Sequence, residues 1–174
     1  MKNTIELIKV AMFASITAIL SQIILPVGPV PYSLGLLGAL LAGMLCCPST
    51  STLSMVAYIL MGAIGLPVFA GFVGGIGVLI NSTGGYLIGY IFISLLTSLA
   101  RNKKWYVTIC AMVLGLLLCY AFGTLWFMAI SQNDLVASLA YCVIPFVLPD
   151  VAKLVCAFLL GKAIDKRLKF INHK

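Results

Sequence analysis

Charge is what this sequence has least of. Asp, Glu, Lys and Arg make up 9% of its 174 residues, against about 25% in an ordinary soluble domain. Hydrophobic residues make up 63%, and the mean hydropathy is +1.18. Such a composition excludes a soluble globular protein and reads as an all-α integral membrane protein. Long polar segments are missing too. The longest is the tail from Lys162 to Lys174, so residues 1–174 read as a single membrane domain with no catalytic domain outside the bilayer.

Motifs of soluble chemistry are equally scarce. No ATP-binding motif occurs, and Gly75-x-Gly77 lacks the third glycine, the preceding strand and the βαβ setting of a dinucleotide fingerprint. Cys46, Cys47, Cys110, Cys119, Cys142 and Cys156 show no C-x-x-C spacing, and all lie in or at the ends of apolar runs. The lone His173 is in the tail, so the cysteines read as small buried hydrophobes and no metal site is expected. Lys2 and Lys9 beside an apolar run resemble a secretory leader. Without an A-x-A cleavage site, and with further apolar runs following, the segment reads as a first helix.

What is present is a succession of apolar runs cut by charges, prolines and glycines: Ile5 to Leu25, Ser33 to Cys47, Thr50 to Ile64, Gly85 to Ala100, Tyr106 to Ile130 and Leu135 to Leu160. The first, fifth and sixth are long enough to cross. The other three span about 22 Å at about 1.5 Å per residue, short of a hydrocarbon core of about 30 Å, and would extend into flanking segments or thin the bilayer locally. Lys and Arg are retained on the cytoplasmic side of membranes. Six crossings place Lys2, Lys9, the Arg101-Asn-Lys103-Lys104 loop and the tail with Lys162, Lys166, Arg167, Lys169 and Lys174 all inside, with Ser131-Gln-Asn-Asp134 outside. Five or seven crossings would break that agreement. The reading is a six-helix transmembrane bundle with both termini cytoplasmic, and Trp105 and Tyr106 fit an interfacial aromatic belt. The net charge of +7 is then topological, and no nucleic-acid partner is implied.

Against this background Asp150 and Lys153 stand out, because ionisable groups inside a bilayer are expensive and face a partner or a cavity. Measured along a helix from Lys162, Lys153 lies about 14 Å and Asp150 about 18 Å from the cytoplasmic edge, which puts Asp150 just beyond the midplane. Tyr86 and Gln22 reach a similar level by the same count. Pro145 and Pro149 each remove a helix donor nearby, so a helix restarting at Pro149 would place Asp150 in a first turn, where the dipole favours an anion. The three-residue spacing puts Asp150 and Lys153 on one helix face. A structural ion pair locking two helices is the plainer alternative. The polar residues at the same depth favour a ligand site.

The segment from Gly65 to Tyr86 is rich in glycine, including Gly71, Gly74, Gly75, Gly77, Gly84 and Gly85, and carries Asn81 near its end. Glycine lets backbone approach a ligand closely, and the segment is apolar enough to lie against a membrane or fold over a pocket. A lid over an outer cavity is the expected use.

Several stretches in order along the chain resemble the BioY biotin transporters, the substrate-binding S components of energy-coupling factor (ECF) transporters: Pro29-Val-Pro31-Tyr32-Ser33-Leu34, Gly65-Leu-Pro67-Val-Phe69-Ala-Gly71, Thr83-Gly-Gly85-Tyr86-Leu87-Ile-Gly89, and Pro145-Phe146 followed by Asp150-Val-Ala-Lys153. Gly35, Asn81-Ser82 and Cys47-Pro48-Ser49-Thr50 depart from the family pattern of a Gln, a Gly-Pro and a basic turn. The resemblance implies an S-component fold, an outward-facing biotin pocket roofed by the loops after the first and third helices, and residence in the cell membrane among its lipids. It also implies a transmembrane coupling subunit and two cytoplasmic ATPases as partners, ATP being bound only by them, with no cofactor in this chain and no enzymatic activity. In such a site Asp150 would accept from the ureido N–H groups of biotin, while Lys153 would donate to a ligand oxygen and keep Asp150 ionised. Asn81 or Gln22 would complete the polar contacts, Gly74 and Gly75 would allow close approach, and Tyr86 and Trp126 would stack on the ring.

On the first helix Ala14 and Ala18 form a small-xxx-small face, which by itself suits internal packing or a partner helix. The family's Ala-x-x-x-Ala motif, which docks the coupling subunit, favours the partner. A proton-coupled secondary transporter using Asp150 as its carrier is the rival function. A membrane enzyme is the weaker one, since Glu6 and Asp165 lie at the cytoplasmic side, away from Asp150 and Lys153.

Overall fold

In the computed structural model the described residues are 2–25, 32–132 and 134–172. Pro29 and Pro31 of the first family stretch, with Asn133, His173 and Lys174, lie outside them, as do the side chains of Lys2 and Lys169. The chain runs α1 (Lys2–Ser21), β1 (Ile24–Leu25), β2 (Tyr32–Ser33), α2 (Gly35–Leu45), α3 (Pro48–Ala63), α4 (Ile76–Ile80), α5 (Gly84–Ala100), α6 (Trp105–Ser131), α7 (Leu135–Cys142) and α8 (Ile144–Asn172). Segments Thr4–Ser21, Trp105–Ser131 and Ile144–Arg167 are long and apolar enough to cross a membrane, while α2 and α5 are shorter apolar helices.

Apolar surface alone cannot drive helices together in lipid, so close packing at small residues has to. The α5–α6 seam is built this way. A Cβ on Gly89 would lie 2.6 Å from Cys119 Sγ, and one on Gly115 would lie 2.9 Å from Ile93 Cα. The α1–α2 contact uses the same device, with Gly38 facing Thr17 at 2.6 Å. The buried core runs through these seams and includes Ala39, Met55, Ile93, Met112 and Ala157. Of the cysteines, Cys46, Cys119 and Cys142 are buried as expected, but Cys110 and Cys156 face outward.

Helix α3 starts at Pro48, whose missing N–H loses nothing in a first turn. The last apolar run differs from its expected shape. It breaks at Val143, between α7 and α8, and not near Pro149. Pro145 occupies the first turn of α8, where no donor is needed, whereas Pro149 sits inside the helix. Asp150 therefore lies beyond the first turn, out of reach of the helix dipole, and the expectation of dipole stabilisation is corrected.

Two connections fold over one end of the helices. After α1, β1 pairs antiparallel with β2, Ile24 opposite Ser33 and Leu25 opposite Tyr32. After α3, the chain from Ile64 to Thr83 turns back through an antiparallel bridge between Phe69 and Val73 and the single turn pair of α4.

Candidate functional site

Beneath the second of these connections, with β2 at its base, lies a cavity of about 340 Å³, a size typical of small-molecule sites. Its floor is Asp150 and Lys153, both buried. A buried charge must be compensated on every side, and here it is. Lys153 Nζ donates to Asp150 Oδ1 at 2.9 Å and to the Ser33 carbonyl at 2.6 Å, and it stands 3.7 Å from the centre of the Tyr32 ring. The Tyr120 hydroxyl donates to the other carboxylate oxygen, Oδ2, at 2.7 Å. One short hydrogen-bonded chain thus ties β2, α6 and α8 together at the cavity floor. Each carboxylate oxygen carries two lone pairs, so Asp150 retains accepting capacity after both bonds are made. Lys153 thus donates to Asp150 and Ser33 and lies against an aromatic face, so that in this arrangement it braces Asp150 and β2.

The walls are aromatic. Tyr32 stacks on Phe146 with ring centres 5.6 Å apart and planes 15° from parallel. Opposite, Tyr58 meets the edge of Phe69 at 5.6 Å. Ser21 donates to the Thr17 carbonyl at 2.8 Å and is hydrogen-bonded to the Tyr58 hydroxyl at 2.9 Å, which fixes that ring from α1. Tyr86 and Tyr90 of α5 and Leu116 and Cys119 of α6 complete the lining. The Tyr86 hydroxyl donates to the Cys142 carbonyl at 3.0 Å, and its ring lies on Gly123, where any Cβ would collide with it. The phenol is thereby anchored on the last turn of α7, leaving ring surface toward the cavity.

The lid segment is held by specific contacts. Phe69 is 1% exposed and presses against Gly62 of α3, while Gly75 N donates to the Gly62 carbonyl at 2.7 Å. Phe69, Ala70, Val73 and Val78 face the cavity from above, with Asn81, Ser82 and Thr83 at its rim. Asn81 Oδ1 accepts from Ser82 N at 2.7 Å, leaving its amide protons for other acceptors.

Of the residues singled out in the sequence, Asp150, Lys153, Tyr86 and Asn81 line the cavity together. Gln22, Gly74, Gly75 and Trp126 are not among its lining. Gln22 closes the lid from α1: its Oε1 accepts from Phe72 N at 2.8 Å and its Nε2 donates to the Pro67 carbonyl at 3.4 Å. Gly74 lets two strands of the lid touch, since a Cβ there would strike the Leu66 carbonyl, and Gly75 takes a φ of 101° ahead of α4. Trp126 packs over Gly84 and Gly85 and donates to the Asn81 carbonyl at 3.1 Å, steadying the turn that carries Asn81. Ala14 is 1% exposed and belongs to the core, and Ala18 is half-buried against it, so their expected place on an open docking face is corrected. The exposed small residues of α1 at the same spacing are Ala11 and Ser15. Sequence reasoning missed Tyr120, Tyr58, Tyr90, Tyr32 and Phe146 as site residues. Only the last two carried a signal, as members of the family stretches.

Comparison with known proteins places this arrangement. The BioY family pattern matches residues 1–170. The probable biotin transporter BioY of Pyrococcus horikoshii is 35% identical over 163 residues, covering 92% of this chain and 96% of that protein. The biotin transporter BioY of Thermotoga maritima is 35% identical over 165 residues, with the same coverage of 92% and 96%. A 2.1 Å crystal structure of the S-component for biotin from an ECF-type ABC transporter superposes with a TM-score of 0.86 at 26% identity, covering 95% of this chain and 93% of that one. Matched over more than nine-tenths of its length in sequence and fold, the chain belongs to the BioY family.

Proposed function

We propose that this chain is the biotin-binding S component of an ECF transporter. The observation that carries the reading is the Asp150 carboxylate, buried under a lid in an aromatic cavity and held by Lys153 and Tyr120, in a chain whose relatives are biotin transporters. Biotin has a ureido group with two N–H donors and a carbonyl, an apolar ring and an anionic tail. The free lone pairs of Asp150 suit the ureido donors without displacing Lys153 or Tyr120. The Asn81 amide suits an acceptor oxygen of the ligand, and Tyr86 and the other rings suit the bicycle.

In this reading α1, α2, α3, α5, α6 and the α7–α8 pair cross the cell membrane, with both termini and the Arg101–Lys104 loop in the cytoplasm, as the Lys and Arg distribution supports. The subunit is a transport component and not an enzyme. ATP hydrolysis is supplied by two cytoplasmic ATPases through a transmembrane coupling subunit, which docks where Ala11 and Ser15 leave α1 open to close approach. Titration calorimetry on the purified chain in detergent tests the substrate. Saturable one-site binding of biotin without any partner is expected. No heat with biotin, alongside tight binding of a different vitamin, overturns it.

A further inference from the structure

The lid has two faces, and only one of them belongs to the cavity. Phe69 and Val78 point toward the site, whereas Leu66 is 45%, Phe72 71%, Ile76 65% and Ile80 59% exposed on the other side. No Asp, Glu, Lys or Arg occurs between Lys9 and Arg101, so nothing in this segment solvates that outer face. Exposed apolar residues scattered singly need no explanation, but a contiguous set without charge marks a surface that something covers.

The exposed face continues a belt of exposed apolar side chains on the neighbouring helices. Leu60 and Ile64 lead out of α3 straight into Leu66, and Ile19 of α1 and Ile23 just after it run up beside the lid, where the Gln22 side chain holds Phe72 N. Phe72 itself adopts a φ of 57°, a left-handed conformation sparsely populated by aromatic residues. The Gln22 contact maintains that backbone while the ring remains outside. At the other end of the helices Trp105 and Tyr106 are exposed beside Lys103 and Lys104, the usual mixture at a charged interface.

We infer that residues 65–80 lie in the lipid interface of the outer leaflet, with Phe72, Ile76 and Ile80 inserted among the lipids. The inference rests on the spanning arrangement proposed above and is independent of which ligand the cavity takes. An apolar face without charge and continuous with lipid-facing helices fits acyl chains better than a second protein, whose interface would bring polar complements. Movement of the lid then drags apolar side chains through the leaflet, and access to the cavity is set at the lipid–water boundary and not by a loop waving in water.

Photocrosslinking in phospholipid nanodiscs tests this. Phe72→p-benzoylphenylalanine and Ile76→p-benzoylphenylalanine are irradiated and the adduct masses read, with Leu117 on the outer surface of α6 and Asn102 in the basic loop as references. Phospholipid-mass adducts at positions 72 and 76 are expected at yields close to that at Leu117 and several-fold above Asn102. If the Phe72 variant does not fold, Ile76 and Ile80 carry the comparison. Lipid adducts at Leu117 alone overturn the inference and leave the spanning arrangement standing, as do crosslinks from the lid to a second protein chain. Failure at Leu117 as well removes the spanning arrangement and the lid's place in it together.

Discussion

Replacing Asp150 by Asn changes one atom and removes one charge, which makes its consequences calculable. The Asn carbonyl can still accept from Lys153 in place of Oδ1. Its amide then occupies the position of Oδ2 and donates, so the Tyr120 hydroxyl, 2.7 Å away, must turn its proton aside and become the acceptor. The Tyr120 bond becomes a neutral one, and Lys153 keeps an acceptor but loses its counter-ion, so stability falls by about 2–3 kcal/mol, short of the cost of breaking a buried pair outright. The ligand suffers separately. One acceptor facing a ureido N–H has become a donor, which at about 1.5–3 kcal/mol for the lost charged bond weakens binding roughly 10- to 100-fold. Asp150→Ala is harsher: Lys153 keeps the Ser33 carbonyl and the Tyr32 ring but loses acceptor and counter-ion together, a loss of about 3–5 kcal/mol for a broken buried pair. Calorimetry measures affinity, and thermal unfolding in the same detergent measures stability. Should Asp150→Asn and Lys153→Met both bind biotin like the parent while losing stability, the pair is structural and the cavity floor is not the ligand site.

Further expectations follow from the same geometry. Tyr120→Phe leaves the cavity shape but removes one hydrogen bond from the buried carboxylate; stability should fall by about 1.5–3 kcal/mol and affinity by about tenfold, and unchanged affinity would refute a positioning role. Gly62→Ala puts a methyl into the Phe69 ring, so the lid anchor should shift and stability drop by about 1–3 kcal/mol, read by thermal unfolding. Ala14→Leu overpacks the core and should lower stability by a similar amount, whereas Ala11→Leu and Ser15→Leu should leave biotin binding intact and reduce assembly with the coupling subunit and ATP-dependent uptake. Uptake by the chain alone in energised vesicles, stopped by a protonophore and unaffected by either leucine, would favour a proton-coupled carrier instead.

Much of the fold was legible because the helices announce themselves as charge-free runs: the six apolar stretches correspond to α1, α2, α3, α5, α6 and the α7–α8 pair. The break in the last was misplaced because two prolines looked equally disruptive, and only the position of the helix start decides which of them lies harmlessly in a first turn. Asp150, Lys153 and Tyr86 were legible as polar residues at a common depth in an apolar chain, and Asn81 through the glycine-rich segment that carries it. Depth along a helix says nothing about direction around it, however. Gln22 fell at a plausible height but turns toward the lid, Trp126, expected to stack on the ligand, turns toward the Asn81 turn, and Ala14 turns into the core. The tyrosines of the wall were hidden for a related reason. In a helix such as α6, apolar on every side, no periodic contrast indicates that Tyr120 faces Asp150.

The claim that this cavity holds biotin is tested most directly by the small molecule that leaves the protein on denaturation. The chain is purified after expression in cells supplied with biotin, and the released fraction is identified by mass spectrometry. The account predicts biotin, in an amount approaching that of the protein and strongly reduced in Asp150→Ala preparations that remain folded. A different metabolite released in that proportion, with biotin absent, would contradict it.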